Sequence, residues 1–181
     1  MASPFDNQIQ NRNFLSPVGF KFTLGKYPKV DFFSISANIP EISLGTAIQS
    51  SYLKNLDVPG EKLTYGDFRL SFMVDENMEN FSTVHNWLTG IGFPETTQQY
   101  RTQITNVDGI RDGNEVFSDG TLHILNSNYR DVAQIRFRDL YPTSLSSLQF
   151  QANDSDYNYF TAEVTFKYTI YNLVDKSGNP L

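Results

Sequence analysis

Residues 132–171 read VAQIRFRDLYPTSLSSLQFQANDSDYNYFTAEVTFKYTIY. Near the end of this stretch Val164, Phe166, Tyr168 and Ile170 share one face. Thr165, Lys167, Thr169 and Tyr171 share the other. A period of two is what a sheet with one dry face requires. Upstream, residues 132–141 give a second strand signal. A Pro142-Thr143-Ser144 turn and a polar, Asp/Asn-rich loop separate it from residues 161–172, which close the sheet. No titratable cluster interrupts the pattern. The best-ordered part of the sequence is therefore built as a wall and not as a reaction centre.

Working outward, residues 121–125 and 132–141 form a hairpin. Residues 63–74 form a strong strand, with Phe68, Leu70, Phe72 and Val74 inward and Asp67, Arg69, Ser71 and Met73 outward. The period then changes. Met78, Phe81, Val84, Leu88 and Ile91 recur at steps of three and four, with Trp87 at the border of the stripe. That is one amphipathic helix, expected to pack on one sheet face. Asp75 or Asn77 caps it, Glu76 and Glu79 suit its first turn, and Gly90 suits its end.

The N-terminal part holds two more strands. In residues 18–24, Val18, Phe20, Phe22 and Leu24 alternate with Gly19, Lys21 and Thr23. In residues 30–39, Phe33, Ile35, Ala37 and Ile39 share a face, and Pro40 stops the strand because proline cannot donate to a ladder. A turn at residues 25–28 makes these a first hairpin. Residues 41–62, EISLGTAIQSSYLKNLDVPGEK, are thin in apolar residues and too long for an ordinary loop of about 4–6 residues. We expect an extended hairpin that projects from the domain and bends at Pro59-Gly60. Residues 92–119 are a polar, glycine-punctuated excursion, with room for a short hairpin at Asp108-Gly109. Residues 1–16 read either as a frayed terminus or as an N-terminal arm whose large apolar groups, Phe5, Ile9, Phe14 and Leu15, dock on a neighbouring subunit. Residues 173–181 read as a loop-like tail.

Composition narrows the function. The chain has 181 residues, the length of one domain. Aromatic residues are abundant, with 15 Phe and 10 Tyr, and these favour strands and interfaces. Cysteine is absent, which removes disulfides, thiolate nucleophiles and cysteine-bound metals. The net charge of −6 opposes a sequence-independent grip on nucleic acid. The charge is also uneven. Residues 1–40 carry Arg12, Lys21, Lys26 and Lys29 against Asp6 and Asp31, a balance of +2. Residues 75–119 carry Arg101 and Arg111 against Asp75, Glu76, Glu79, Glu95, Asp108, Asp112, Glu115 and Asp119, a balance of −6. Such a split arises by chance about as readily as by design, and it also suits copies that meet head to tail. No basic segment followed by an apolar run opens the chain, so a soluble product without a cleaved signal is expected. No window approaches the ~18 apolar residues of a membrane span.

Candidate chemistry is thin. His85 and His123 lack the paired spacing of metal-binding histidines. No G-x-S-x-G elbow is present, although a Ser–His–acid site is spatial and leaves no fixed trace in sequence. Asp108, Asp112, Asn114 and Glu115 lack the alternating oxygen ligands of a calcium loop, and Asp154-Ser155-Asp156 is weaker still. No phosphate-cradling loop or dinucleotide fingerprint occurs. Arg136 and Arg138 fall short of a nucleic-acid stripe, and an ion pair with a neighbouring acid is their expected use. We assign no catalytic residue, metal or cofactor.

Two segments carry a resemblance: V-P-G-E-K-L-T-Y-G-D-F at residues 58–68 and L-Y-P-T-S-L at residues 140–145, with N-W-L in the helix and T-A-E-V-T-F-K-Y-T-I-Y at the end. Over residues 17–172 the chain resembles the tail tube proteins of contractile-tailed, T4-like bacteriophages. The resemblance implies a mainly β, sandwich or barrel-like subunit with one flanking helix and a long projecting hairpin. It implies a structural virion protein without enzymatic activity. Six copies would close into a ring, and rings would stack inside a sheath to deliver phage DNA through the lumen without sequence-specific binding. The protein would be made in the host cytoplasm and end in the phage tail, with sheath and baseplate or terminator proteins as partners. Ring contacts, stacking contacts and the lumen would fall on Ile42, Leu44, Ile48, Tyr52, Leu53, Leu56, Val58, Pro59 and Gly60. Phe5, Ile9 and Phe14 would dock on a neighbouring copy. A tube initiator or tail-completion protein, or a tube protein of a secretion system, would share these features. From another class, a β-sandwich module could stack its exposed Tyr and Trp on sugars.

Overall fold

The computed structural model describes residues 15, 17–27, 33–92, 94–105, 116–150 and 159–181. The elements run β1 (Phe20–Leu24), β2 (Phe33–Ala37), β3 (Ile42–Gln49), β4 (Leu56–Tyr65), β5 (Phe68–Met73), α1 (Glu79–Gly92), α2 (Thr97–Thr105), β6 (Ser118–Leu125), β7 (Asp131–Leu145), β8 (Thr161–Lys167) and β9 (Ile170–Asp175). Among the described residues six strands form one path in the order β1-β6-β7-β8-β5-β2, and β9, off the path beside β7, makes the sheet seven-stranded. Strands β3 and β4 form a separate two-stranded sheet. All of the pairs are antiparallel.

The long strand β7 holds the path together by turning a corner. Residues 131–140 pair with β6, and residues 133–138 also pair with β9. Residues 141–145 pair with β8 instead. Asp139 sits between the two halves at φ 54°, a left-handed conformation that Asp tolerates better than most residues. A register shift follows between Pro142 and Ser144. Pro142-Thr143-Ser144 is thus not a turn but the bulged continuation of β7, and bulges of this kind bend a strand from one sheet into the next.

The core lies between the two halves of the sheet. Phe22 and Phe137 from the β1-β6-β7-β9 side meet Phe68 and Phe166 from the other. Ring centroids are 4.5 Å apart for Phe68–Phe137 and 5.2 Å for Phe22–Phe68, in tilted geometries that suit the ring quadrupoles. Leu24, Leu70, Phe72, Leu122, Ile135, Leu140, Ala162 and Val164 complete the set buried from the strands, and Val84 and Trp87 join it from α1. The alternation read in β5 and β8 is realised: Phe68, Leu70 and Phe72 are buried, as are Ala162, Val164 and Phe166.

Helix α1 covers one side of this core. Its start is braced by a reciprocal exchange in which Asn80 N donates to Asp75 Oδ1 at 3.3 Å and Asp75 N donates to Asn80 Oδ1 at 3.4 Å. Asn80 Nδ2 also donates to Met73 O at 2.8 Å, which ties the helix to the end of β5. These bonds satisfy first-turn amides that have no partner inside the helix. Trp87 is at the centre of the buried face and not at its border. It is fully buried, its indole N–H donates to Val116 O at 2.9 Å, and it meets Tyr27 edge-on. Met78, expected on the stripe, is exposed at the helix mouth.

Several expectations need correction. Strands β1 and β2 do not form a hairpin: β1 pairs with β6, β2 pairs with β5, and they are the two terminal strands of the path. Val18 precedes β1 and is exposed, as are Ile35 and Ile39, because a bulge between Ser34 and Ser36 breaks the alternation of β2. Residues 63–74 are not one strand, since Gly66-Asp67 separates β4 from β5. A second helix, α2, occupies part of the polar excursion. Residues 161–172 divide into β8 and β9 at Tyr168-Thr169, and β9 continues into the segment read as a loop-like tail. There Val174 is buried and Asp175 folds the chain back, accepting from Ser177 N at 2.7 Å and Asn179 N at 2.9 Å. Those bonds hold the Asp175 carboxyl below the usual carboxylate range, the Asn179 amide foremost. The arm residues Phe5, Ile9 and Phe14, the Asp108-Gly109 turn and the acidic sets at 108–115 and 154–156 lie outside the described residues.

Candidate functional site

The β3–β4 hairpin is a different kind of structure from the domain that carries it. Every residue of β3 is exposed, and none of β4 is buried. The register Ile42↔Tyr65, Leu44↔Leu63, Thr46↔Pro59 and Ile48↔Asp57 fixes which side chains share a face. On one face stand Ile42, Leu44, Ile48, Pro59 and Leu63, a mainly apolar row that also carries Thr46, Asp57 and Tyr65. On the other stand Ser43, Ala47, Gln49, Lys62 and Thr64, joined by Leu56 and Val58. The residues expected to act as one set are therefore split. Ile42, Leu44, Ile48 and Pro59 share the mainly apolar face, whereas Leu56 and Val58 stand on the mixed face with Ser43, Gln49, Lys62 and Thr64. Tyr52 and Leu53 are at the tip, almost fully exposed at 102% and 91%. The signal for two faces was present in the alternation of Ile42, Leu44 and Ile48, and Leu63, read as the start of the next strand, completes it.

A bulge between Leu44 and Thr46 brings the two backbones together at Gly45 and Gly60. A Cβ at Gly60 would overlap the Gly45 carbonyl, with the carbonyl carbon only 2.8 Å away. Glycine is required there by close approach of two chains. Pro59 is not a breaker but part of β4, placed at the bulge where a missing donor is tolerated.

The foot of the hairpin is clamped on both stems. Tyr171 donates its hydroxyl to Pro40 O at 3.0 Å, and Tyr168 donates to Gly66 O at 2.8 Å. Tyr65 packs edge-on against both, at 5.7 Å from Tyr171 and 6.2 Å from Tyr168. Gly66 N donates to Glu41 O at 2.9 Å across the stems. Asn38 braces the far side, with Arg69 N donating to its Oδ1 and its Nδ2 donating to Asp67 O at 3.0 Å. Lys167 pairs with Asp67 at 2.8 Å, and that hydrogen bond, more than the charge, raises the lysine pKa. Burial pushes the Tyr168 hydroxyl up to about 12, with Tyr171, Asp67 and Tyr65 adding to the shift. Tyr171 is raised for the same first reason. Both tyrosines are thus held neutral as hydrogen-bond donors far above neutral pH.

At the far end of β7, side chains line up in a second pattern. Thr23 Oγ1 is 3.3 Å from His123 Nε2, and His123 Nδ1 is 3.1 Å from Asp131 Oδ2. The order hydroxyl–imidazole–carboxylate is that of a nucleophile row. Its setting is a sheet surface. His123 is in register with Lys21 across β1 and with Gln134 across β7, and Thr23 Oγ1 also donates to Thr121 O at 3.4 Å. Gln134 Nε2 donates to Asp131 Oδ2 at 3.5 Å, and Arg136 donates to Gln134 Oε1 at 3.1 Å. Cross-strand polar pairs of this kind fix register between neighbours. Arg136 was expected to meet an acid and meets an amide oxygen instead. His85 is exposed on α1.

With this geometry in view, the model of the phage tail tube protein family matches residues 3–174. The chain belongs to the phage tail tube protein family. Solved structures share the fold at low identity. A chain of the anti-feeding prophage tube-terminating cap aligns at a TM-score of 0.60 and 16% identity, covering 96% of this tail tube protein and 99% of that chain. A chain from the sheath–tube complex of an extracellular contractile injection system, in the extended state, aligns at 0.60 and 17%, covering 97% and 99%. Hcp1 from Flavobacterium johnsoniae aligns at 0.50 and 12%, covering 90% and 98%. No curated protein matches the chain in sequence. The role of this tail tube protein is structural, as a component of a tail tube.

Proposed function

We propose that copies of this protein close into six-membered rings that stack into a tube, and that the tube conducts DNA. The observation that carries the reading is the two-faced hairpin. A two-stranded ribbon is marginal by itself in water. This one shows water an apolar face of Ile42, Leu44, Ile48 and Leu63, which is the mark of an interaction surface. In a ring that face seats on the neighbouring copy. The opposite face, with Ser43, Gln49, Lys62 and Thr64, then lines the lumen. A lumen with few cations lets DNA slide, because affinity grows with each phosphate neutralised. The terminal strands β1 and β2 add to the reading: neighbours that join there continue the sheet around the ring and leave no edge to aggregate.

The protein works without catalysis in this reading, and the Thr23–His123–Asp131 row serves strand register. Its partners are further copies of itself, a sheath, and the baseplate or terminator proteins at the ends of the tube. The sheath–tube origin of one structural neighbour supports the sheath among them. The destination is the virion, after synthesis in the host cytoplasm. Negative-stain microscopy of the purified chain tests the proposal. Rings or tubes with a central hole are expected, and a monodisperse monomer at high concentration overturns it.

A further inference from the structure

The face of the domain at the mouth of α1 holds an apolar cavity of about 620 Å³. Met73, Leu148, Phe150 and Phe160 form its walls, and Asp75 and Glu76 stand on its rim. Phe150 meets Phe160 in a tilted ring pair at 4.6 Å yet is 73% exposed. Cavities of a few hundred Å³ with apolar walls and a few polar groups are the usual shape of a binding site.

We infer that this cavity is the seat for the N-terminal arm, residues 1–14, of a second copy of the chain. The inference rests on the tube reading and names one of its contacts. Two observations support it. First, the arm and the cavity belong to opposite ends of β7. The arm enters the fold at β1, where Phe20 pairs with Ile124 and Leu125 N donates to Gly19 O, beside the turn that leads into Asp131. The cavity is built next to the other end, where Leu145 pairs with Val164 and Met73 pairs with Thr161. A site at one end and its ligand at the other make a heterologous contact, which repeats along a stack of copies.

Second, the chemistry matches. Phe5, Ile9 and Phe14 are large apolar groups in an otherwise polar segment, as the cavity walls require. Arg12 stands between Ile9 and Phe14, so seating those two brings a cation to Asp75 and Glu76.

The absence of native cysteine makes the test clean. Chains carrying Ile9→Cys are mixed with chains carrying Leu148→Cys, assembled, and oxidised with copper–phenanthroline. The expected result is a disulfide-linked pair between the two populations, at about tenfold or more the yield of Ile9→Cys mixed with the remote Lys176→Cys. Equal yields overturn the inference. So does preferential linkage of Leu148→Cys to a hairpin-tip Tyr52→Cys, or closure within one chain when Ile9→Cys and Leu148→Cys are combined and diluted. A second variant, Phe5→Ser with Phe14→Ser, should shorten tubes while leaving the melting of the domain unchanged, and unchanged tube length overturns the seat. Wild-type rings without the linkage remove only the seat. A wild-type chain that forms no rings removes the tube reading and the seat with it.

Discussion

The domain and its hairpin obey opposite rules. In the domain every large side chain that faces inward has a partner: Phe68, Phe72, Trp87, Phe137 and Phe166 are fully buried. In the hairpin Ile42, Leu44 and Ile48 face water, although they alternate as regularly as the core residues do. The difference is where the complementary surface is. The domain contains both halves of its core, and in the proposed ring the hairpin supplies one half of an interface. Substitutions in the first should be read as stability, and substitutions in the second as assembly.

The strongest way to test this contrast is to remove a ring from the core. Phe68→Ala should cost about 3–5 kcal/mol, since it opens a cavity between two sheets that cannot collapse on it. Thermal unfolding should show a large drop in midpoint. On the hairpin, Gly60→Val should abolish rings and tubes in negative stain, because its Cβ would collide with the Gly45 carbonyl. The domain should still melt as the wild type does, within the roughly 0.5 kcal/mol typical of surface changes. A joint loss of folding and assembly would mean that the hairpin is part of the folding unit.

The two hairpin faces give a finer comparison. Leu44→Asp with Ile48→Asp should prevent ring closure, while Lys62→Gln on the opposite face should leave rings intact. Sedimentation of the two variants at equal concentration separates the cases, and equal loss would mean that the faces are not distinct. Smaller again is Tyr171→Phe, which removes one hydrogen bond to Pro40 O and should cost about 1 kcal/mol. Its signature is faster amide exchange in β3 and β4 with the core unchanged.

The same clamp has a pH limit. A tyrosine whose folded pKa is about 12 against an ordinary value near 10 binds its proton more tightly in the folded state. The stabilisation is complete below about pH 10 and is lost as pH rises through about 12. Absorbance titration near 295 nm should show late-ionising tyrosines, and Tyr168→Phe should reduce the amplitude of that late phase. An unchanged curve would place the late proton elsewhere.

Much of this contrast is legible in the chain. Phe68, Leu70 and Phe72 alternate with polar residues, as do Ala162, Val164 and Phe166, and local alternation is all that a strand with one dry face needs. The helix period of residues 78–91 is equally local. What is not legible is non-local. Lys21 and Thr23 carry no mark that their partners are His123 and Thr121, so β1 and β2 looked like neighbours when they are the two ends of a path. The row Thr23–His123–Asp131 is invisible for the same reason. The corner in β7 was missed because a proline next to Thr-Ser reads as a turn, and only the sheet context makes it a bulge. Helix α2, TQQYRTQIT, has too few apolar residues to show a stripe. In the hairpin, length and polarity were legible, but the two faces were hidden by Gly45 and Gly60, which looked like interruptions and are a crossing point.

One buried residue gives the molecule its own meter. The chain has a single tryptophan, and Trp87 is sealed in the core with its indole N–H bonded to Val116 O. Its emission therefore comes from one place, undiluted by other fluorophores of its kind, and that place is the core and not the hairpin. Light emitted by Trp87 follows the melting of a subunit, and light scattered by the solution follows the growth of a tube. The two signals can be recorded in one cuvette without a label.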